Sequence, residues 1–173
     1  VNPTIVTGWN SNKFDAAYLV ERAERWNVPV ELGYSTSALQ VKTSVFMSKQ
    51  AGMRDNTRVT GTSGVFFIDL MGYFRTFYNL SSYALNSVAE QFLGANKLDM
   101  DYSRIPQLMR FPEGRNAVAK YCMRDAELPL ELMAKMRVVS RISASAAFVG
   151  MPVDAMAGQT GQRKMAMASF YRR

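Results

Sequence analysis

Two acids and a tyrosine carry the chemistry this sequence can offer. Tyr121 and Asp125 are four residues apart, so on a helix they share a face and can address one small ligand. At helical spacing Val118, Tyr121, Cys122, Asp125, Leu132, Met133 and Met136 form a stripe in which Asp125 is the only carboxylate. A carboxylate buried there is costly unless a cation or hydrogen-bond donors meet it. A salt-bridged aspartate beside a core tyrosine is the plainer alternative. Asp15, the second acid, follows a short strand and a turn. It is either the N-cap of the next helix or a carboxylate displayed beyond a strand end, where α/β folds place their sites.

What is absent narrows the chemistry further. The 173 residues contain no His, which removes Ser-His-Asp and Cys-His catalysis and makes a zinc enzyme unpromising. Carboxylates, Lys, Tyr or a hard cation such as Mg2+ are left. The single Cys122 excludes an intramolecular disulfide and fits a reducing compartment. No run of about 18 apolar residues is present, so no membrane span is predicted. The net charge of +7 lies wholly in residues 104–173, which hold twelve Lys/Arg against five acids, whereas nine and nine cancel in residues 1–103. A basic half fits a polyanionic partner, or a merely solvated helix surface.

The elements that must position these residues follow from the pattern. Thr4–Thr7 reads as a strand, Gly8–Lys13 as a turn, and Phe14 to Trp26 as a helix ended by Asn27 and Pro29. Residues 30–62 suggest irregular strands or a hairpin. Gly64–Leu70 is apolar on both faces and predicts a strand central in its sheet. Asp69 near its end is either catalytic or the cap of a helix over about Gly72 to Tyr78. A further helix, about Tyr83 to Leu93, turns Leu85, Val88, Ala89 and Phe92 inward and stops at Gly94. A loop containing Lys97 and a short helix near Ile105 to Met109 precede the long helix of Tyr121 and Asp125. Pro129 should kink or break that helix just after Leu128, with helix resuming to about Ala147. Gly150–Pro152 and Gly158–Gly161 read as turns, and Met165 to Arg172 as a last helix.

Two signatures stand out: Gly8-Trp9-Asn10, three residues, then Phe14-Asp15; and Tyr121-Cys122-Met123-Arg124-Asp125. They resemble the second and third motifs of the 3′–5′ proofreading exonuclease of B-family DNA polymerases. Ser48 to Asp55, Ser82 to Ala89, Phe92-Leu93-Gly94, Tyr121 to Leu130 and Gly150 to Val153 are similar to the delta-type branch. The resemblance implies an α/β, ribonuclease H-like fold. It implies phosphodiester hydrolysis with two Mg2+ ions (Mn2+ being an alternative), held by carboxylates that include Asp15 and Asp125. It further implies that Tyr121 orients the attacking water and Lys97 supports the site. Asn10 would bond the terminal nucleotide, while Phe14 and Leu85 would contact bases; on pattern alone both are core residues. Asp69 matches no metal ligand of the family.

This chain departs from the family in three places. Lys13 stands where delta-type members usually have Asn, and Ala84 where they have Ser or Thr, which predicts a modest loss of strand affinity. The family's first motif, Asp-x-Glu, occurs nowhere; Asp99-Met100-Asp101 is the nearest, in the wrong place. The expectation is therefore an incomplete exonuclease fold: residues 1–147 as the C-terminal part of that domain and 148–173 as a connector towards the polymerase region. Alone it should bind metal poorly and cleave little. The parent would be a DNA-directed DNA polymerase acting on a primer-template and a single-stranded 3′ end, using deoxynucleoside triphosphates and a processivity factor, in the nucleus or at a viral replication site. Divergence at Gly158–Gln162 leans towards a large DNA virus. The rivals are a catalytically silent exonuclease-like module and a free-standing exonuclease. Against the second stands the basic stretch Met133 to Arg173, seven Lys/Arg to one acid.

Overall fold

The computed structural model describes residues 3–32, 34, 38–48, 52–62, 64–94, 100–153 and 156. Strand β1 (Ile5–Gly8) leads through a turn into helix α1 (Asp15–Trp26). Asn27, at φ 50°, stops α1 in the left-handed conformation that asparagine tolerates. Of the two arrangements expected in residues 30–62, a hairpin is the one that forms: β2 (Gln40–Ser48) with β3 (Gly52–Thr60), antiparallel from Gln40↔Thr60 to Ser48↔Gly52. α1 packs against β2. Strand β4 (Phe66–Asp69) then returns beside β1, parallel, with Ile5 opposite Phe66 and Gly8 opposite Asp69. Among the described residues β4 pairs with β1 alone, which corrects the reading of it as a central strand. Only Ile68 of β4 is fully buried, so its apolar run is half covered rather than sandwiched.

Helices supply the cover. α2 (Leu70–Phe77) leaves β4 directly, and α3 (Leu85–Leu93) ends at Gly94, φ 66°. A 3₁₀ turn (Tyr102–Arg104), the short α4 (Ile105–Leu108), the long α5 (Pro112–Lys135) and α6 (Val138–Val149) complete the order. The core joins Ile68, Leu70, Tyr73, Phe74, Val88, Leu132, Val138 and Ile142, with Trp9, Tyr78 and Phe92 packed on it. Phe74 sits at its centre, 5.1 to 5.5 Å from the rings of Trp9, Tyr78 and Phe92. A fully buried phenylalanine of this kind contributes about 1.5–3 kcal/mol.

α5 runs through Pro129 without a break, so of the two outcomes predicted after Leu128, a kink or a break, the break does not occur. Leu128, Pro129 and Leu132 are buried together, and their packing offsets the helix bond that proline cannot make. The chain turns instead at Met136 and Arg137, where Arg137 takes φ 50° and α6 begins at once. Cys122 is exposed, so it does not belong to the buried stripe read from the sequence. No described helix is long and apolar enough to cross a membrane. The last predicted helix, the turn at Gly158–Gly161 and most of the 148–173 connector lie outside the described residues.

Candidate active site

The site is built at the carboxyl ends of β1 and β4, where Gly8 and Asp69 stand opposite each other. The turn leaving β1 is tight. A Cβ on Gly8 would lie 2.8 Å from Cβ of Ser11, so glycine is needed for the close approach. Asn10 follows at φ 60°. Its carbonyl accepts the amides of both Lys13 and Phe14 at 3.2 Å, which folds the turn back and launches α1. Trp9 anchors the other side: its ring packs on Phe74, and Nε1 donates to the Tyr83 carbonyl at 3.1 Å. That bond ties the turn to the segment running into Leu85, the first residue of α3.

Asp69 closes the arrangement. Its Oδ1 accepts the Asn10 amide at 2.9 Å and the Met71 amide at 3.0 Å, and its Oδ2 accepts the Asn12 amide at 3.2 Å. Burial pushes the Asp69 carboxyl above its ordinary range, against the lowering effect of these amides. It is the N-cap of α2, one of the two roles its position suggested. Its hold on the turn after β1 was not legible, because nothing in the sequence marks a contact 57 to 59 residues away. Thr7 strengthens the same strand pair, donating from Oγ1 to the Ile68 carbonyl at 2.9 Å. Within the turn, Ser11 Oγ and Asn12 Oδ1 are buried without a hydrogen-bond partner among the described residues.

The predicted residues fall into two groups. Asn10, Phe14 and Asp15 share the turn. Phe14 is 68% exposed, which removes it from the core and leaves its ring free to meet a ligand. Asp15 is the first helical residue; Phe14 holds the cap position, so the capping role considered for Asp15 is excluded. The Asp15 carboxylate is exposed and has no hydrogen bond or ion pair among the described residues. Its charge favours the α1 N-terminus by about 0.3–1 kcal/mol.

Tyr121 and Asp125 form the second group, both half-buried on α5, one turn apart. The salt-bridged alternative for Asp125 is not what the chain adopts. Neighbouring Arg124 turns to Glu131 at 2.6 Å and Glu127 at 3.4 Å, and Asp125 has no partner among the described residues. α5 packs against β1, the strand that leads into the Asp15 turn, and against α3, which carries Leu85. Leu85 itself is half-buried against the core. Lys97 lies outside the described residues.

Unpaired carboxylates are hard oxygen donors, the type that Mg2+ and Mn2+ take, and Asp125 is partly desolvated without a cation. The donor chemistry therefore fits such an ion. Among the described residues no group of three or more His, Cys, Asp or Glu gathers that could by itself hold one.

Comparison with known proteins agrees with this architecture. The family model described as "DNA polymerase family B, exonuclease domain" matches residues 1–88. The DNA polymerase delta catalytic subunit of Oryza sativa subsp. japonica is 37% identical over 89% of this chain and 14% of its own length. That of Glycine max is 34% identical over 100% of this chain and 16% of its own length, and that of Candida albicans 31% over 100% and 17%. The chain thus spans about one-sixth of these relatives. The family B DNA polymerase of the archaeon Pyrobaculum calidifontis superposes with a TM-score of 0.74 at 23% identity, over 98% of this chain and 21% of that one. This likeness shows the fold: the chain has the α/β fold of the matching part of that polymerase. With more than half of its residues matched by the family model, the chain belongs to the exonuclease domain of the family B DNA polymerases, on their delta-type branch.

Proposed function

We propose that this chain is the larger part of a 3′–5′ proofreading exonuclease within a delta-type DNA polymerase. The observation that carries the reading is Asp125: a half-buried carboxylate without a partner among the described residues, one turn from Tyr121 on the same helix. Asp15 and Asp125 are the residues that would hold divalent metal, Mg2+ or Mn2+. When bound, a pair of such ions supplies a nucleophilic hydroxide at neutral pH and charge stabilisation at the leaving 3′ oxygen. The chain's own side chains do the rest. The Tyr121 phenol orients the attacking water beside Asp125, and Lys97 counters phosphate charge. Asn10 bonds the terminal nucleotide. Phe14, exposed at the mouth of the turn, stacks on a base, and Leu85 supports the next. The parent protein would extend a primer-template from deoxynucleoside triphosphates, with a processivity factor, in the nucleus. Residues 1–147 belong to the exonuclease and 148–173 to the connector in this reading.

The test is Asp125→Ala in the complete polymerase containing this chain. Excision of a mismatched primer end is expected to be abolished and extension spared. A second reading, the catalytically silent module, draws on the absence of a three-ligand cluster among the described residues. Mismatch removal that is missing from the wild type would establish it instead, whereas removal unchanged by Asp125→Ala would overturn the role given to Asp125.

A further inference from the structure

We infer that Asp69 is a positioning residue for the 3′ end of a DNA strand, acting through the turn that carries Asn10, Phe14 and Asp15; the inference rests on the exonuclease reading above. Capping α2 needs one oxygen, and the Met71 amide takes it. The bonds from Asn10 and Asn12 serve another purpose. They cross from the end of β4 to the turn after β1 and use both carboxylate oxygens. They hold Asn10 at φ 60°, the left-handed conformation that asparagine, like Asn27, tolerates. The Asn10 carbonyl in turn receives the amides of Lys13 and Phe14. The angle at Asn10 therefore decides where the Phe14 ring emerges and where α1 presents Asp15. Hydrogen bonds to an ionised acceptor are the strong, short kind, suited to a rigid clamp. Asp69 need not touch DNA or metal to act in this way; its oxygens are already taken by backbone amides.

Asp69→Ser in the complete polymerase separates the two jobs. Serine caps a helix as aspartate does, but one short hydroxyl cannot also reach the turn. Primer extension and the melting transition are expected to stay at wild-type values. The KM for single-stranded DNA in excision should rise at least tenfold, with a smaller fall in kcat, and the amides of Asn10 and Asn12 should exchange faster with deuterium. Asp69→Asn, which keeps Oδ1 for Asn10 and Met71, should fall between. A wild-type KM in Asp69→Ser overturns the inference. So does a loss of extension and melting temperature in parallel with excision, which would make Asp69 a general stabiliser. Asp125→Ala run alongside distinguishes the two levels: if it still excises, the exonuclease site built on Asp125 fails and takes the inference with it. If it is inactive while Asp69→Ser keeps its KM, only the inference falls.

Discussion

Replacing Pro129 by alanine tests how α5 tolerates a proline in its interior. The helix continues from Pro112 to Lys135 although residue 129 has no amide to give the carbonyl of Asp125. Alanine would restore that bond, and relative to proline it favours a helix interior by about 3 kcal/mol. Against this stands the burial of Pro129. Losing two ring methylenes costs about 1.6 kcal/mol, at about 0.8 each. The difference, about 1.4 kcal/mol, is a tenfold change in local opening, and the small void left by the ring lowers it towards about threefold. Hydrogen–deuterium exchange of peptides covering residues 121–135, in the complete polymerase, reads this directly. Protection is expected to increase by about three- to tenfold. A decrease would refute the reasoning. It would mean that the ring's contacts with the Leu128 and Leu132 layer outweigh the helix bond, and that the unbroken helix depends on proline there.

Three other outcomes can be checked together. Gly8→Ala forces Cβ against Ser11, and overpacking of this kind costs about 1–3 kcal/mol; Ser11→Gly should rescue it and Ser11→Ala should not, read by thermal melting and by excision rate. Phe14→Ala, at a 68% exposed ring, should leave stability unchanged and weaken single-strand binding by about 1–3 kcal/mol, measured by fluorescence anisotropy with an oligonucleotide. Because burial raises the Asp69 carboxyl above its ordinary 3.8, the folded state holds that proton more tightly than the unfolded one. Its ionisation therefore lowers stability as pH rises from 3.8 through the raised value. Wild type minus Asp69→Asn should show that slope in urea titrations across the window, and a flat or opposite difference would contradict it.

Local elements were readable where one stretch of chain decides them. Asn27 and Gly94 announced their helix ends because each supplies a left-handed residue. The hairpin of β2 and β3 was one of two readings of residues 30–62, beside irregular strands, and the helix that carries Tyr121 and Asp125 followed from spacing. Failures came where distant residues decide. Of the kink or break expected at Pro129, the break did not occur; the ring is buried, as are Leu128 and Leu132 beside it on the same helix, and Leu132 joins a core whose other walls lie on α2 and α6. The coverage of β4 could not be read either, since an apolar run fits a sandwiched strand and a half-covered one equally.

Asp15 and Asp69 show the same limit inside the site. Each stands at the junction of a strand or turn with a helix, and by position each could cap or catalyse. What separates them is the number of donors that face them. Asp69 meets the amides of Asn10, Asn12 and Met71, so its lone pairs are committed to holding a turn. Asp15 meets none among the described residues and lies exposed at the head of α1. A carboxylate without donors keeps its oxygens available to a cation; one saturated by amides has become part of the scaffold. The two acids are therefore complementary. On the proposed exonuclease reading, Asp69 fixes the turn through Asn10 and that turn gives Asp15 a defined place from which to act, so loosening the first should impair the second without altering its chemistry.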